Sequence, residues 1–193
     1  MSKLVGPAGR VHAFEPNPVL CSLLGSTIRE NASSNISVHQ VALGEHDGVA
    51  ELTVPFGNAG AGSLLRRSPK CQSYAVKVTT LDAVVADLKI TSISLIKLDV
   101  EGFELFVLKG ANRTLSTIRP RGIIFESNDN TIHERLDPVM QLLSSYNYRL
   151  VVIPKRIFRM STKIVRAPPF YGHDFLAVAN EAFLSVSAKI RAN

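Results

Sequence analysis

Cysteine is scarce in this chain. Only Cys21 and Cys71 occur, far apart and outside any CxxC pattern. A disulfide framework and a Cys-based zinc site are therefore not expected, and a reducing compartment, the cytoplasm, is. Long apolar runs are also missing: none approaches the roughly 18 residues of a membrane span. The start, "MSKLVGPAGRVHAFEP", lacks the apolar core and small-residue cleavage site of a secretory signal. Acidic residues are absent from Pro138 to His173, where Arg149, Lys155, Arg156, Arg159, Lys163 and Arg166 occur. That local surplus equals the net charge of +6 for the whole chain. Such a segment suits an anionic partner, whether nucleic acid, phosphorylated substrate or acidic lipid; the alternative is a solvated basic loop. No aromatic-rich RNA-binding signature accompanies it. A GxGxxG fingerprint is missing too, since "GNAGAG", Gly57 to Gly62, follows a hairpin strand and does not open a helix.

What is present is an ordinary globular composition over 193 residues, 46% of them hydrophobic, enough for one domain with a sizeable core. No internal repeat, low-complexity tract or linker divides it. Short apolar runs alternate with helical patterns. "GRVHAFEP" reads as a strand ending at Glu15, and "PVLCSLLGSTIREN" as an amphipathic helix with Val19, Leu20, Leu23, Leu24 and Ile28 on one stripe. "ISVHQVAL" and "VAELTVP" flank "GEHDG", a hairpin signal. Tyr74 to Val78 reads as another short strand, and Thr80 is placed to cap a helix over "TTLDAVVADLK". A strand over Ile93 to Leu98 and a helix from about Glu104 to Ser116 follow, then the strand "GIIFES". A helix from Pro138 through Ser145, a closing pair "YRLVVIP" and "DFLAVAN", and a last helix around Ala182 to Arg191 complete the reading. Alternating strands and helices predict an α/β sandwich with a mostly parallel sheet, helices on both faces, and an antiparallel edge near the end. In such folds ligands bind outside the carboxyl ends of the strands.

Two acids stand where an apolar strand runs out, Asp99 and Glu101 in "SLIKLDVEGFELFVLKGA". If extended geometry persists past Leu98, the two project to the same side, and Gly102 then allows a tight turn into the next helix. They could equally neutralise the helix start, where negative charge is favoured by about 0.3–1 kcal/mol. Glu15 also ends a strand, before "PNP" redirects the chain. At the tip of a nucleotide-binding strand, such a carboxylate suits two adjacent ribose hydroxyls, because it offers two coplanar acceptor oxygens. Asp99 and Glu101 could offer hard oxygen ligands to a metal, but no further ligand is evident and no metal site is assigned. His12 and His39 read as packed strand residues and His46 as part of a polar turn. His133 lies in an apparent loop. His173 and Glu126 are secondary candidates on the substrate side.

The runs "GRVHAFEPNP", "VHQVALGEHDGVAELTVP", "VTTLDAVVADL", "SLIKLDVEGFELFVLKGA" and "RPRGIIFES" occur in an order that resembles FkbM-type methyltransferases, over about Val5 to Ser127. The resemblance implies a Rossmann-like fold and S-adenosylmethionine as cofactor, with O-methylation of a small-molecule or glycan hydroxyl. It further implies that Glu15 holds the cofactor ribose, that Ala42 and Leu43 line the adenine with Asn17 nearby, and that Asp99 faces the methionine end or the acceptor. Asp99 is then the candidate catalytic base, with Glu101 supporting the same pocket. The segment Asn58 to Leu65 would cover the site, and Lys97 would either pack or support the site residues from behind.

Members of that family begin with a strand, a Gly-rich turn of the D-x-G-A-N-x-G kind and a helix, whose tail corresponds to "LVGPAGRV" here. The first strand and helix are accordingly expected to be missing, so that this chain is a single truncated methyltransferase-like domain over residues 1–193, with a variable part over 138–193. Its cofactor affinity by itself is expected to be poor, and micromolar binding in a calorimetric titration would refute that. The competing reading is a non-catalytic remnant that engages an anionic partner through the basic segment. A steep loss of RNA affinity with salt is its signature. Oligomeric state has no sequence signal.

Overall fold

The computed structural model describes residues 2–67, 69–127, 137–153, 163–164 and 174–183, which divide between two units, Met1–Thr80 and Leu81–Asn193. In the first unit the order is α1 (Ser2–Val5), β1 (Val11–Phe14), α2 (Pro18–Glu30), β2 (Ile36–His39), β3 (Ala42–Leu43), β4 (Gly48–Pro55) and β5 (Cys71–Thr79). Helix α2 begins where local chemistry favours it. The Asn17 side chain accepts from the Val19 N–H, and Pro18 occupies a first-turn position that needs no N–H. Its apolar stripe packs toward β2 but remains partly open, with Leu23 58% exposed. A two-stranded parallel sheet of β1 and β2 is too narrow to cover it.

The hairpin expected across "GEHDG" does not form. Strands β3 and β4 lie on opposite sides of β5. Strand β4 runs antiparallel to β5 through eight register pairs, from Gly48 opposite Val78 to Pro55 opposite Cys71, whereas two-residue β3 joins β5 in parallel. The longer ladder satisfies more backbone groups. Alternate residues then line one face, and Ala42, Leu52, Val54, Val76 and Val78 form the buried core of this sheet. Asp47, in the intended turn, instead accepts from the Thr79 hydroxyl at 2.7 Å and the Thr80 N–H.

The β1–β2 sheet carries a histidine pair. His12 Nδ1 lies 3.1 Å from His39 Nε2, and the Phe14 ring stacks on His39 at 4.8 Å between centroids. Burial first, and then the nearby His12, push the His39 pKa below its ordinary value of 6.5. A nitrogen-to-nitrogen hydrogen bond needs one ring nitrogen free to accept, so double protonation breaks it. Because the folded value is depressed, the contribution to stability is full above 6.5 and is lost as pH falls through the folded value. Thermal melts taken from pH 8 downward should therefore show a drop below about 6.5 that His39→Phe flattens; an unchanged pH profile in that variant would count against the pair.

The second unit runs α3 (Leu81–Asp87), β6 (Leu95–Lys97), α4 (Glu104–Lys109), a π-helical turn (Thr114–Ile118), β7 (Gly122–Glu126), α5 (Pro138–Ser145), β8 (Tyr148–Ile153), β9 (Lys163–Ile164) and β10 (Asp174–Ala179). Its sheet has the order β6-β7-β10-β8-β9. Only β6–β7 is parallel, and β10 inserts antiparallel between β7 and β8. The anticipated closing pair is thus present. The chain is mixed α/β as expected, but hydrogen bonding among the described strands defines three sheets in place of one continuous sheet.

The helix expected from Glu104 to Ser116 is interrupted after Lys109. The Asp82 carboxylate accepts from the N–H groups of Arg113 and Thr114 and from the Thr114 hydroxyl, so a second helical start is capped from outside. This turn ends at Arg119, whose φ is +52°. The Arg119 guanidinium grips both oxygens of Glu181 and the Tyr146 carbonyl, which holds the exposed Glu181 carboxyl down at about 2. Helix α5 follows its anticipated bounds. Asp137 caps it and Pro138 opens it, and Val139, Met140 and Leu143 form its buried face. Of the basic segment, Lys155, Arg156, Arg159 and Arg166 lie outside the described residues, as does most of the last expected helix. Arg149 sits 4.6 Å above the Phe183 ring, a structural contact.

Candidate functional site

The ladder between β1 and β2 continues one residue past β1, where the Glu15 N–H donates to the His39 carbonyl at 3.0 Å. The chain then folds back on itself. Glu15 Oε1 accepts from the Asn17 N–H at 2.8 Å, leaving Oε2 and the remaining lone pairs for other donors. Burial raises the Glu15 pKa from 4.5, and the hydrogen bond from Asn17 opposes that rise. This half-buried carboxylate at the carboxyl end of a parallel strand has the chemistry that a vicinal diol requires.

Asn17 is 2% exposed and its amide is already engaged. Oδ1 caps α2, and Nδ2 donates to the Ala59 carbonyl at 3.2 Å. Asn17 thereby ties the 3-10 turn Ala59–Ala61 to the turn between β1 and α2, and this part of the Asn58 to Leu65 segment packs against α2. The same segment is anchored by paired backbone bonds between Thr53 and Ser63. Ala42 is 4% exposed within the β3-β5-β4 core, and Leu43 beside it is partly exposed.

In the second unit β6 ends at Lys97, and the Leu98 N–H still donates to the Ile124 carbonyl. Lys97 is the direct partner of Asp99, with Nζ 2.5 Å from Oδ2. Of the two roles expected for Lys97, packing or support of the site residues, the exposed ion pair with Asp99 corresponds to the second. Extended geometry does not persist through Glu101. Its φ is +52°, and that of Gly102 is +94°, so alternation along a strand no longer relates Glu101 to Asp99. Two successive left-handed residues turn the chain toward α4, the tight turn that Gly102 allows.

Glu104 is the residue that the sequence reading passed over. It is 5% exposed, and its Oε1 accepts from the Val100 N–H at 3.3 Å. Burial raises its pKa, the backbone N–H groups of Glu104, Val100 and Gly102 pull it down, and the Glu126 carboxylate pushes it up. The available signal was a third acid in the run D-V-E-G-F-E, which resembles an ordinary helix-start charge. Glu126 ends β7, opposite Asp174 of β10. Beyond it the buried Ser127 hydroxyl donates to Asp137, the cap of α5. His133 and His173 lie outside the described residues. Among the described residues there is no group of three or more His, Cys, Asp or Glu that could hold a metal, and no helix is long and apolar enough to cross a membrane. An open cleft lined by Glu51, Thr53, Arg67 and Ser73 includes none of the expected site residues.

The chain is thus a mixed α/β protein with acids just past the ends of β1 and β6. Residues 1–150 match the family described as the methyltransferase FkbM domain, and the chain belongs to that family. A crystal structure of methyltransferase FkbM from Methylobacillus flagellatus KT is similar at 21% identity and a TM-score of 0.49, covering 88% of this chain and 36% of that one. The present chain thus spans about a third of that protein's length. Comparison with the curated proteins gives no match.

Proposed function

We propose that this chain is a methyltransferase-like domain over residues 1–193, with a variable portion over 138–193, that methylates a hydroxyl of a small molecule or glycan with S-adenosylmethionine as donor. Membership of the FkbM family carries the reading. The half-buried Glu15 carboxylate, with an oxygen to spare, supports it. When bound, S-adenosylmethionine would supply an electrophilic methyl group on a sulfonium. Glu15 would accept hydrogen bonds from the ribose hydroxyls. Asn17 would hold that carboxylate and the Ala59 turn in place, while the partly exposed Leu43 would offer apolar surface to the adenine and Ala42 would support it from within the sheet core.

Asp99 is assigned the proton of the acceptor hydroxyl, and a positioned base of this kind contributes about 10²–10⁴-fold. Lys97 pairs with the Asp99 carboxylate, and Glu101 belongs to the same turn. The free, partly exposed Cys21 and Cys71 fit a reducing compartment, and the cytoplasm is the proposed location. The test is saturable binding of S-adenosylmethionine to the intact protein, with transfer of its labelled methyl group to hydroxyl-bearing acceptors. Folded protein that neither binds the cofactor nor transfers the label to any acceptor overturns the reading.

A further inference from the structure

The turn from Asp99 into α4 is strained in a way that its neighbours must offset. Glu101 is a non-glycine residue at φ +52°, followed by Gly102 at +94°, and left-handed geometry at a non-glycine residue persists only where the surroundings over-determine it. Phe103, the residue that caps α4, contributes no side-chain hydrogen bond. The neighbouring carboxylate that does reach the turn is Glu104. It is buried, its Oε1 takes the Val100 N–H at 3.3 Å, and the N–H of Gly102 also acts on it.

We infer that Glu104 is a positioning residue: its buried carboxylate holds the Val100 N–H, in the middle of the Asp99–Gly102 turn, and so sets the direction in which Asp99 and Glu101 present their acids. The inference rests on the proposed role of this turn in methyl transfer, although the brace itself is a feature of the second unit alone. Burying a carboxyl group is costly unless it is hydrogen-bonded, and here the hydrogen bond it gains lies on the backbone N–H next to the candidate base.

Three substitutions in the intact protein separate the possibilities. Glu104→Ala should lower kcat at least tenfold with little change in KM for S-adenosylmethionine. It should also speed amide hydrogen exchange at Val100 and Gly102 while exchange in β7 and β10 is unchanged. Glu104→Gln keeps a carbonyl oxygen for the Val100 N–H and should recover most of both losses. Asp99→Asn reports on the reading beneath. If Asp99→Asn is fully active while Glu104→Ala is not, the assignment of Asp99 fails and the brace stands. Wild-type kcat in Glu104→Ala, unaltered exchange at Val100 and Gly102, or a Gln variant as impaired as the Ala variant would each overturn the inference.

Discussion

Glu15→Gln is expected to weaken S-adenosylmethionine binding by about 10- to 100-fold, the loss of about 1.5–3 kcal/mol that accompanies removal of hydrogen bonds to a charged group. The substitution is close to isosteric. Its remaining carbonyl oxygen can still accept from the Asn17 N–H, the bond that Glu15 Oε1 makes at 2.8 Å, so the turn before α2 should keep its shape. What disappears is the negative charge and the second acceptor oxygen, since an amide NH2 only donates. The effect on folding should have the opposite sign. Burial raises the Glu15 pKa above 4.5, so its contribution to stability is full below that value and is lost as pH rises through the folded value. At neutral pH the fold therefore carries a desolvated carboxylate, and Gln relieves it. Calorimetric titration together with a thermal melt at pH 7.5 checks both parts: weaker binding with an equal or higher melting temperature. Undiminished affinity would remove Glu15 from the cofactor site.

Phe175→Ala should destabilise the second unit by about 3–5 kcal/mol, the usual cost of emptying a fully buried aromatic site. Phe175 is 0% exposed and stacks on Phe125 with centroids 5.6 Å apart. The two are directly opposite in the β7–β10 register, and β10 is the middle strand of the five. The void would thus open where β7 and β8 both depend on their shared neighbour. A urea titration followed by far-UV circular dichroism measures the loss. Phe56→Ala is the matched control, because that ring is 71% exposed and its truncation should fall within about 0.5 kcal/mol of no effect. A small loss at Phe175 would mean that this sheet can collapse around the missing ring.

Much of the second unit was legible because its signals are local. Pro138 after Asp137 starts α5, and Val139, Met140 and Leu143 mark its buried face. "GIIFES" and "DFLAVAN" are short apolar runs bounded by breakers, and both become strands. The hairpin across "GEHDG" was misread for a related reason. The turn residues were suitable, but a nine-residue β5 lay further along the chain and offered β4 a far longer ladder than β3 could. Competition between near and distant partners has no signature in either segment alone.

The candidate site divides in the same manner. By itself the sequence determined which acids close apolar runs, Glu15 after β1 and Asp99 after β6, because strand ends and chain breakers are written in adjacent residues. Its motif order also carried the resemblance to the FkbM family, which the family match over residues 1–150 bears out. Only the tertiary structure decided that Lys97 pairs with Asp99, that Asn17 is committed to Ala59, that Glu101 turns left-handed and that Glu104 is buried and accepts from the Val100 N–H. The physical reason is that burial and hydrogen-bond partnership belong to pairs of residues brought together by packing, whereas composition and periodicity describe one stretch of chain at a time.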